Sequence, residues 1–178
     1  MLETPVQSAL EEVLVPRLAA LGWKRRGSRG FLQRHGSTAW VIRIQHGDYY
    51  KKHGACRLTV RVMRVRFLPF ASRHALEPCL RSPQLWRETS WDDPFLLRFA
   101  RRTMLSLGEL TEAREPFWYS YDADNEDDCR RVAEVVADDI ETYAMPWFAK
   151  LFWRAPRRTK GRKQAEQERY DTLRASKG

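Results

Sequence analysis

Between Trp40 and Phe67 hydrophobic and polar residues alternate with a period of two. Trp40, Ile42 and Ile44 alternate with Val41, Arg43 and Gln45, and Leu58, Val60 and Val62 alternate with Arg57, Thr59, Arg61 and Met63. That period predicts two neighbouring β-strands, one set of side chains entering a core and the other facing away. After Met63 the apolar set becomes Val65 and Phe67, with Arg64 and Arg66 between them. Such a phase change predicts a bulge near Met63–Arg64. Earlier in the chain, Val6, Leu10, Val13, Leu14, Leu18 and Leu21 recur at helical spacing. Thr4-Pro5-Val6-Gln7 reads as a capping-box start, Pro16 predicts a kink or split near Val15, and Gly22 suits the C-terminal cap. The basic cluster Lys24-Arg25-Arg26 leads into a loop over Gly27 to Gly30, and Phe31 to Arg34 reads as a short strand.

His46 to Gly54 is a polar loop joining the two central strands. Leu68 to Ser90 has no steady period and reads as a long connection with a short helix around His74–Leu80; Asp93-Pro94 opens another brief helix through Arg102. Met104–Leu110 and Phe117–Tyr121 read as strands. Cys129, Val132, Ala133, Val136, Ile140, Tyr143 and Ala144 then form one helical stripe, with Asp124, Glu126, Asp127 and Asp128 at its positive end, and Pro146 stops it. Strands grouped between terminal helices imply an α+β fold: an antiparallel sheet of about five strands packed against an N-terminal helix and a long C-terminal helix. The single domain covers residues 1–153. Residues 154–178, which contain no Trp, Phe, Ile or Val, form a flexible basic tail, disordered or transiently helical over Gln164–Leu173.

Composition sharpens this picture. With 178 residues, 43% apolar, seven Trp and eight Phe, the chain can build one aromatic-rich core. No apolar run is long enough to span a membrane, and MLETPVQSALEE lacks the features of a secretory signal. A cytoplasmic location is expected, with Cys56, Cys79 and Cys129 as buried free thiols. The net charge is +9, and the tail holds nine Lys/Arg against three acids, so most of the excess lies there.

Several of these segments together resemble the bacterial "domain of unknown function 4304" family. The resemblance rests on the helix Leu14–Leu21, the step Gly22-Trp23-Lys24-Arg25, the strands Phe31-Leu32-Gln33-Arg34 and Trp40-Val41-Ile42-Arg43-Ile44-Gln45, and the close Ala144-Met145-Pro146-Trp147-Phe148. It covers roughly residues 8–152 and departs over Leu68 to Arg102. It implies the fold and brings no activity with it.

Candidate chemistry is sparse. Asp122-x-Asp124-x-Glu126-x-Asp128 lacks the glycine and the bidentate glutamate of a calcium loop, with Asp127 and Ala133 at those positions, and reads as a solvated helix start. His35, His46, His53 and His74 have no zinc-ligand spacing, although His46, His53 and Asp48 share one loop. Cys56 lies near Lys52 and Arg57, a setting that favours a thiolate, but no base is legible. No metal or cofactor is expected. The suggestive feature is the arginine row Arg43, Arg57, Arg61, Arg64 and Arg66, read as one outward sheet face. Arg157, Arg158, Lys160, Arg162 and Lys163 in the tail add to it. Two functions fit: a non-enzymatic module that recognises another protein, or a nucleic-acid or ribonucleoprotein binder that uses this face and the tail.

Overall fold

The computed structural model describes residues 4–27, 30–36, 38–47, 54–67, 100–150 and 161–176. As expected, the fold is α+β. Six strands form one antiparallel sheet: β1 (Lys24–Arg26), β2 (Gly30–His35), β3 (Thr38–His46), β4 (Ala55–Phe67), β5 (Ala100–Ser106) and β6 (Tyr119–Asp122). The order is β1-β2-β3-β4-β5, and β6 pairs with the first residues of β4, upstream of β5 on that strand. Helix α1 (Pro5–Ala20) and helix α3 (Glu126–Asp139) pack together on one face, while α2 is the single turn Leu107–Leu110. Beyond α3 come a π-helical turn, Ile140–Ala144, the short α4 (Met145–Ala149), and finally α5 (Arg162–Ser176).

The period-two pattern sets the architecture. Ile42, Ile44, Leu58, Val60 and Val62 join Leu10, Leu14 and Leu18 of α1 and Cys129, Val132, Val136 and Ile140 of the α3 segment in one core. Two ion-paired seams fix α1 against α3 at its rim: Arg17 to Asp138 and Glu141, and Arg130 to Glu12.

The bulge predicted near Met63–Arg64 is not present. The β3–β4 ladder runs without a slip from Thr38↔Arg66 to His46↔Leu58, and β4–β5 is equally regular. The phase change has another cause. Met63 and Val65 stay on the face away from α1 and α3, where they are buried together with Leu32, Ala39 and Val41. One end of the sheet is therefore covered on both sides, and a strand buried on both faces loses its clean alternation.

Other boundaries shift for local reasons. Pro16 sits inside an unbroken α1 on its exposed side, where water can take the carbonyl that its ring displaces. Thr4 caps through its backbone, Gln7 N–H donating to Thr4 O at 2.8 Å, and its side chain makes no capping bond. Lys24-Arg25-Arg26, a basic cluster to which the sequence assigned no element, forms a short edge strand. The segment predicted as strand Met104–Leu110 ends at Ser106, where the Glu109 carboxylate accepts from Ser106 N–H (2.6 Å) and turns the chain into α2. Ala100–Arg102 are strand, so the brief helix expected through Arg102 does not reach that far; the rest of that helix, and the one around His74–Leu80, lie outside the described residues. Pro146 does not end the long helix sharply. The π turn, with Met145 N–H donating to Ile140 O, widens the helix just before the proline and carries it into α4.

The largest difference lies in the tail. Residues 162–176 form α5, with Tyr170 only 5% exposed against the domain. Low overall hydrophobicity hid a single well-placed aromatic and a set of ion pairs described below.

Gly22 closes α1 in a Schellman motif: Gly22 N–H donates to Ala19 O and Trp23 N–H to Leu18 O, with φ +81° at Gly22. A Cβ there would also stand 3.1 Å from Gln33 Nε2. Gly22→Ala should lower stability by about 1–2 kcal/mol in denaturant titration, the cost of a left-handed non-glycine residue.

Candidate interaction face

The unbroken register divides the arginine row. Arg43, Arg57 and Arg61 point away from α1 and α3, whereas Arg64 and Arg66 lie on the helix-covered face, opposite Trp40 and Thr38. The single five-arginine face predicted from sequence is therefore corrected: it rested on the bulge. Arg64 is half-buried, its guanidinium 4.2 Å from the Trp147 ring centre and donating to Lys150 O at 2.8 Å. Burial lowers its pKa. It closes an aromatic cluster in which Phe148 lies 5.1 Å from Trp23 and stacks on Trp40 at 5.3 Å. Arg66 is exposed at the end of that face.

On the other face the ladders align Arg26, Gly30, Arg43, Arg61 and Ser106 as one rung across five strands. Strand spacing of about 4.8 Å makes this rung roughly 20 Å wide. Arg26 and Arg61 are exposed and Arg43 is half-buried, with Gly30 contributing no side chain between Arg26 and Arg43. Sequence reasoning missed Arg26 because Lys24–Arg26 read only as a basic cluster ahead of a loop, with no strand assigned to it. The glycines at Gly27 and Gly30, which flank a turn, were the available signal for a β1–β2 hairpin.

Arg57, further along the same face, is covered. Its guanidinium lies 4.1 Å from the Tyr170 ring of α5 and 6.0 Å from Trp118. Trp118 leans over Gly47, where any Cβ would stand 2.9 Å from the indole. Thr59 between them is buried and donates to Phe117 O at 3.1 Å.

Helix α5 runs alongside β6, antiparallel to α3, and its inward side chains recur as Arg162, Glu166, Arg169, Tyr170 and Leu173. Glu166 Oε2 accepts from both Ser120 N–H (2.8 Å) and Ser120 Oγ (2.7 Å), while Arg131 donates to Ser120 O (3.0 Å). These bonds satisfy groups that an edge strand would otherwise leave open. Arg169 pairs with Asp128, which also accepts from Arg131 Nε at 2.7 Å and from Asp122 N–H at 2.7 Å. At the other end Arg162 bonds Asp139 and Glu112, and Lys163 approaches Glu115 at 3.5 Å. Tyr119, fully buried, donates to Asp139 (2.7 Å), and Tyr143 donates to Glu112 (2.6 Å). Thus Arg162 and Lys163, predicted as free binding cations, are paired with the domain's own acids. Arg157, Arg158 and Lys160 lie outside the described residues.

The pKa values follow this packing. Burial raises Asp139 despite the bonds from Tyr119 and Arg162, and burial raises Tyr119 well above its ordinary value, with the Asp139 charge adding to it. At Glu112 and Asp128 burial pushes upward but is outweighed: Tyr143 and Arg162 hold Glu112 low, and Arg131, the Asp122 N–H and Arg169 hold Asp128 low.

The remaining candidates resolve simply. Cys56 and Cys129 are buried thiols outside any disulfide, and burial pushes the Cys129 thiol up to about 12. His46 Nδ1 lies 3.3 Å from Tyr121 OH, and the His35 ring lies 3.7 Å from that of Trp40 at a tilt of 32°; Asp48, His53, His74 and Cys79 fall outside the described residues. Of the acids before α3, Asp122 accepts from Asp124 N–H, Asp124 from Gly54 N–H, and Asn125 caps the helix. Among the described residues no helix is long and apolar enough to cross a membrane. Compared with protein-family models, with curated proteins and with solved structures, the chain matches none.

Acid should loosen α5. Asp128 and Glu112 have depressed pKa values, so their contribution is present above their ordinary values of 3.8 and 4.5 and is lost as pH falls through the lower folded values. Asp139, with its raised pKa, works in the opposite sense: its burial penalty develops as pH rises above 3.8. The protection of α5 amides, measured against the intrinsic exchange rate at each pH, should therefore fall below about pH 4, before that of α3. Simultaneous loss of both helices would contradict this.

Proposed function

We propose that this chain is a non-enzymatic interaction module that recognises another protein through the rung Arg26–Arg43–Arg61. The observation that carries this reading is the unbroken register from β1 to β4, which aligns Arg26, Arg43 and Arg61 on one rung of the sheet face opposite α1 and α3. Forked cations in one short row suit carboxylates on a folded acidic surface. A long stripe tracking a phosphate backbone has less support, because Arg64 and Arg66 lie on the opposite face and Arg57, Arg162 and Arg169 are engaged within the domain. The polar groups beneath α5 are spent on one another, and a thiol raised as Cys129 is makes a poor nucleophile. Buried thiols outside any disulfide favour a reducing, cytoplasmic setting. We also propose membership of the domain of unknown function 4304 family, on the Gly22-Trp23-Lys24-Arg25 and Pro146-Trp147-Phe148 segments.

The nucleic-acid reading keeps one specific support. Arg154, Arg157, Arg158 and Lys160 precede α5 in a run of six cations over ten residues, which suits electrostatic binding without sequence preference.

One experiment separates the two. The tagged full chain and its Arg43→Glu/Arg61→Glu variant are recovered from nuclease-treated cells and their retained proteins identified. A partner retained by the wild type and reduced about tenfold or more by the double reversal is expected, because like charges placed across an interface cost several kcal/mol. Equal retention by both chains would overturn the role of the rung. Retention that disappears with nuclease would favour nucleic acid.

A further inference from the structure

Glu166 and Tyr170 stand four residues apart on α5, and the two make its deepest contacts. Glu166 places one carboxylate oxygen on a backbone N–H and a hydroxyl of the same buried residue, Ser120. Tyr170 stacks on Arg57 beside Trp118. The receiving surface thus holds two donors for a carboxylate and, one helical turn away, a cation and an indole for a ring. It adjoins the arginine face. Tyr170 lies outside the contiguous core cluster, Lys163 and Arg169 add pairs exposed on the cation's side that salt can screen, and Arg162 adds a mostly covered pair to Asp139.

Helix α5 is poorly equipped to hold itself. A fifteen-residue helix is marginal alone, and this one buries a single large side chain. Burial of one such group is a modest hold, and among its ion pairs Lys163–Glu115 is largely exposed, where such pairs contribute little, while Arg162–Asp139 is mostly covered.

We propose that α5 is a displaceable ligand in cis, and that its seat accepts from a partner protein a helix carrying a carboxylate and, four residues later, an aromatic ring. The proposal rests on the protein-interaction reading and names the partner's chemistry. Displacement of α5 uncovers Arg57 beside Arg61, and with it the carboxylates of Glu112, Glu115, Asp128 and Asp139 that the cations of α5 now pair, so an incoming helix must also supply cations to them.

The probe is a labelled peptide of residues 162–176, titrated by fluorescence anisotropy into the full chain and into the full chain with Glu166→Ala/Tyr170→Ala. The variant should bind the peptide about tenfold or more tightly than the wild type, because its own helix no longer competes. A peptide carrying the same two substitutions should not bind. Equal affinity for the two chains would overturn the proposal, as would equal binding of the substituted peptide. If the variant loses cooperative unfolding, hydrogen exchange in the wild type decides: α5 should open more readily than α3, and salt should hasten α5 alone. Equal protection of both helices at low and high salt would overturn it. A wild-type dimer that the double variant dissociates would assign the seat to α5 of a second copy instead. Failed displacement alongside retention that depends on Arg43 and Arg61 would sink this proposal alone. The converse would sink only the rung.

Discussion

The β3–β4 ladder is the constraint on which everything else depends. Because side chains alternate strictly along a strand, a one-residue slip in either strand would exchange the two faces beyond that point. The ladder holds one register from Thr38↔Arg66 to His46↔Leu58, which commits Ile42, Ile44, Val60 and Val62 to the helices and Arg43, Arg57 and Arg61 to the opposite side. Helix α1, helix α3 and their ion-paired seams follow from the first commitment. The arginine rung and the seat of α5 follow from the second.

Much of the fold was legible because it depends on period alone. The stripe from Cys129 to Ala144, the alternation from Trp40 to Val62 and the glycine that closes α1 each express a local preference that agrees with the tertiary structure. The bulge was misread because periodicity reports burial rather than position. Met63 and Val65 are apolar on the face that carries arginines elsewhere, and a pattern of buried residues cannot distinguish a strand that slips from a sheet covered twice. Leu107–Leu110 was misread for a related reason: its leucines suit a strand until the Glu109 carboxylate reaches back to Ser106 N–H.

The candidate site was less legible, because charge counting does not reveal pairing. Arg162, Lys163 and Arg169 contribute to a net charge of +9, yet each faces an acid of the domain forty or more residues away in sequence or in a distant loop. Arg57 and Arg61 look equivalent in the sequence, four residues apart on one strand and on the same face. One lies beneath a tyrosine and the other is exposed, a distinction made by a helix in a segment that composition had assigned to a tail either disordered or transiently helical.

A helix held chiefly by its charges answers to conditions that leave the core untouched. Salt screens exposed ion pairs within a Debye length but leaves apolar burial in place. Leu14, Leu18, Val136 and Ile140 therefore hold α1 on α3 under conditions that weaken the attachment of Lys163 and Arg169, the more exposed cations of the α5 pairs. Chain stability and the position of α5 thereby become separable properties of the same fold. A partner meeting the arginine rung would encounter, at its border, an element whose departure leaves the contiguous core intact while uncovering Arg57 together with the carboxylates of Glu112, Glu115, Asp128 and Asp139.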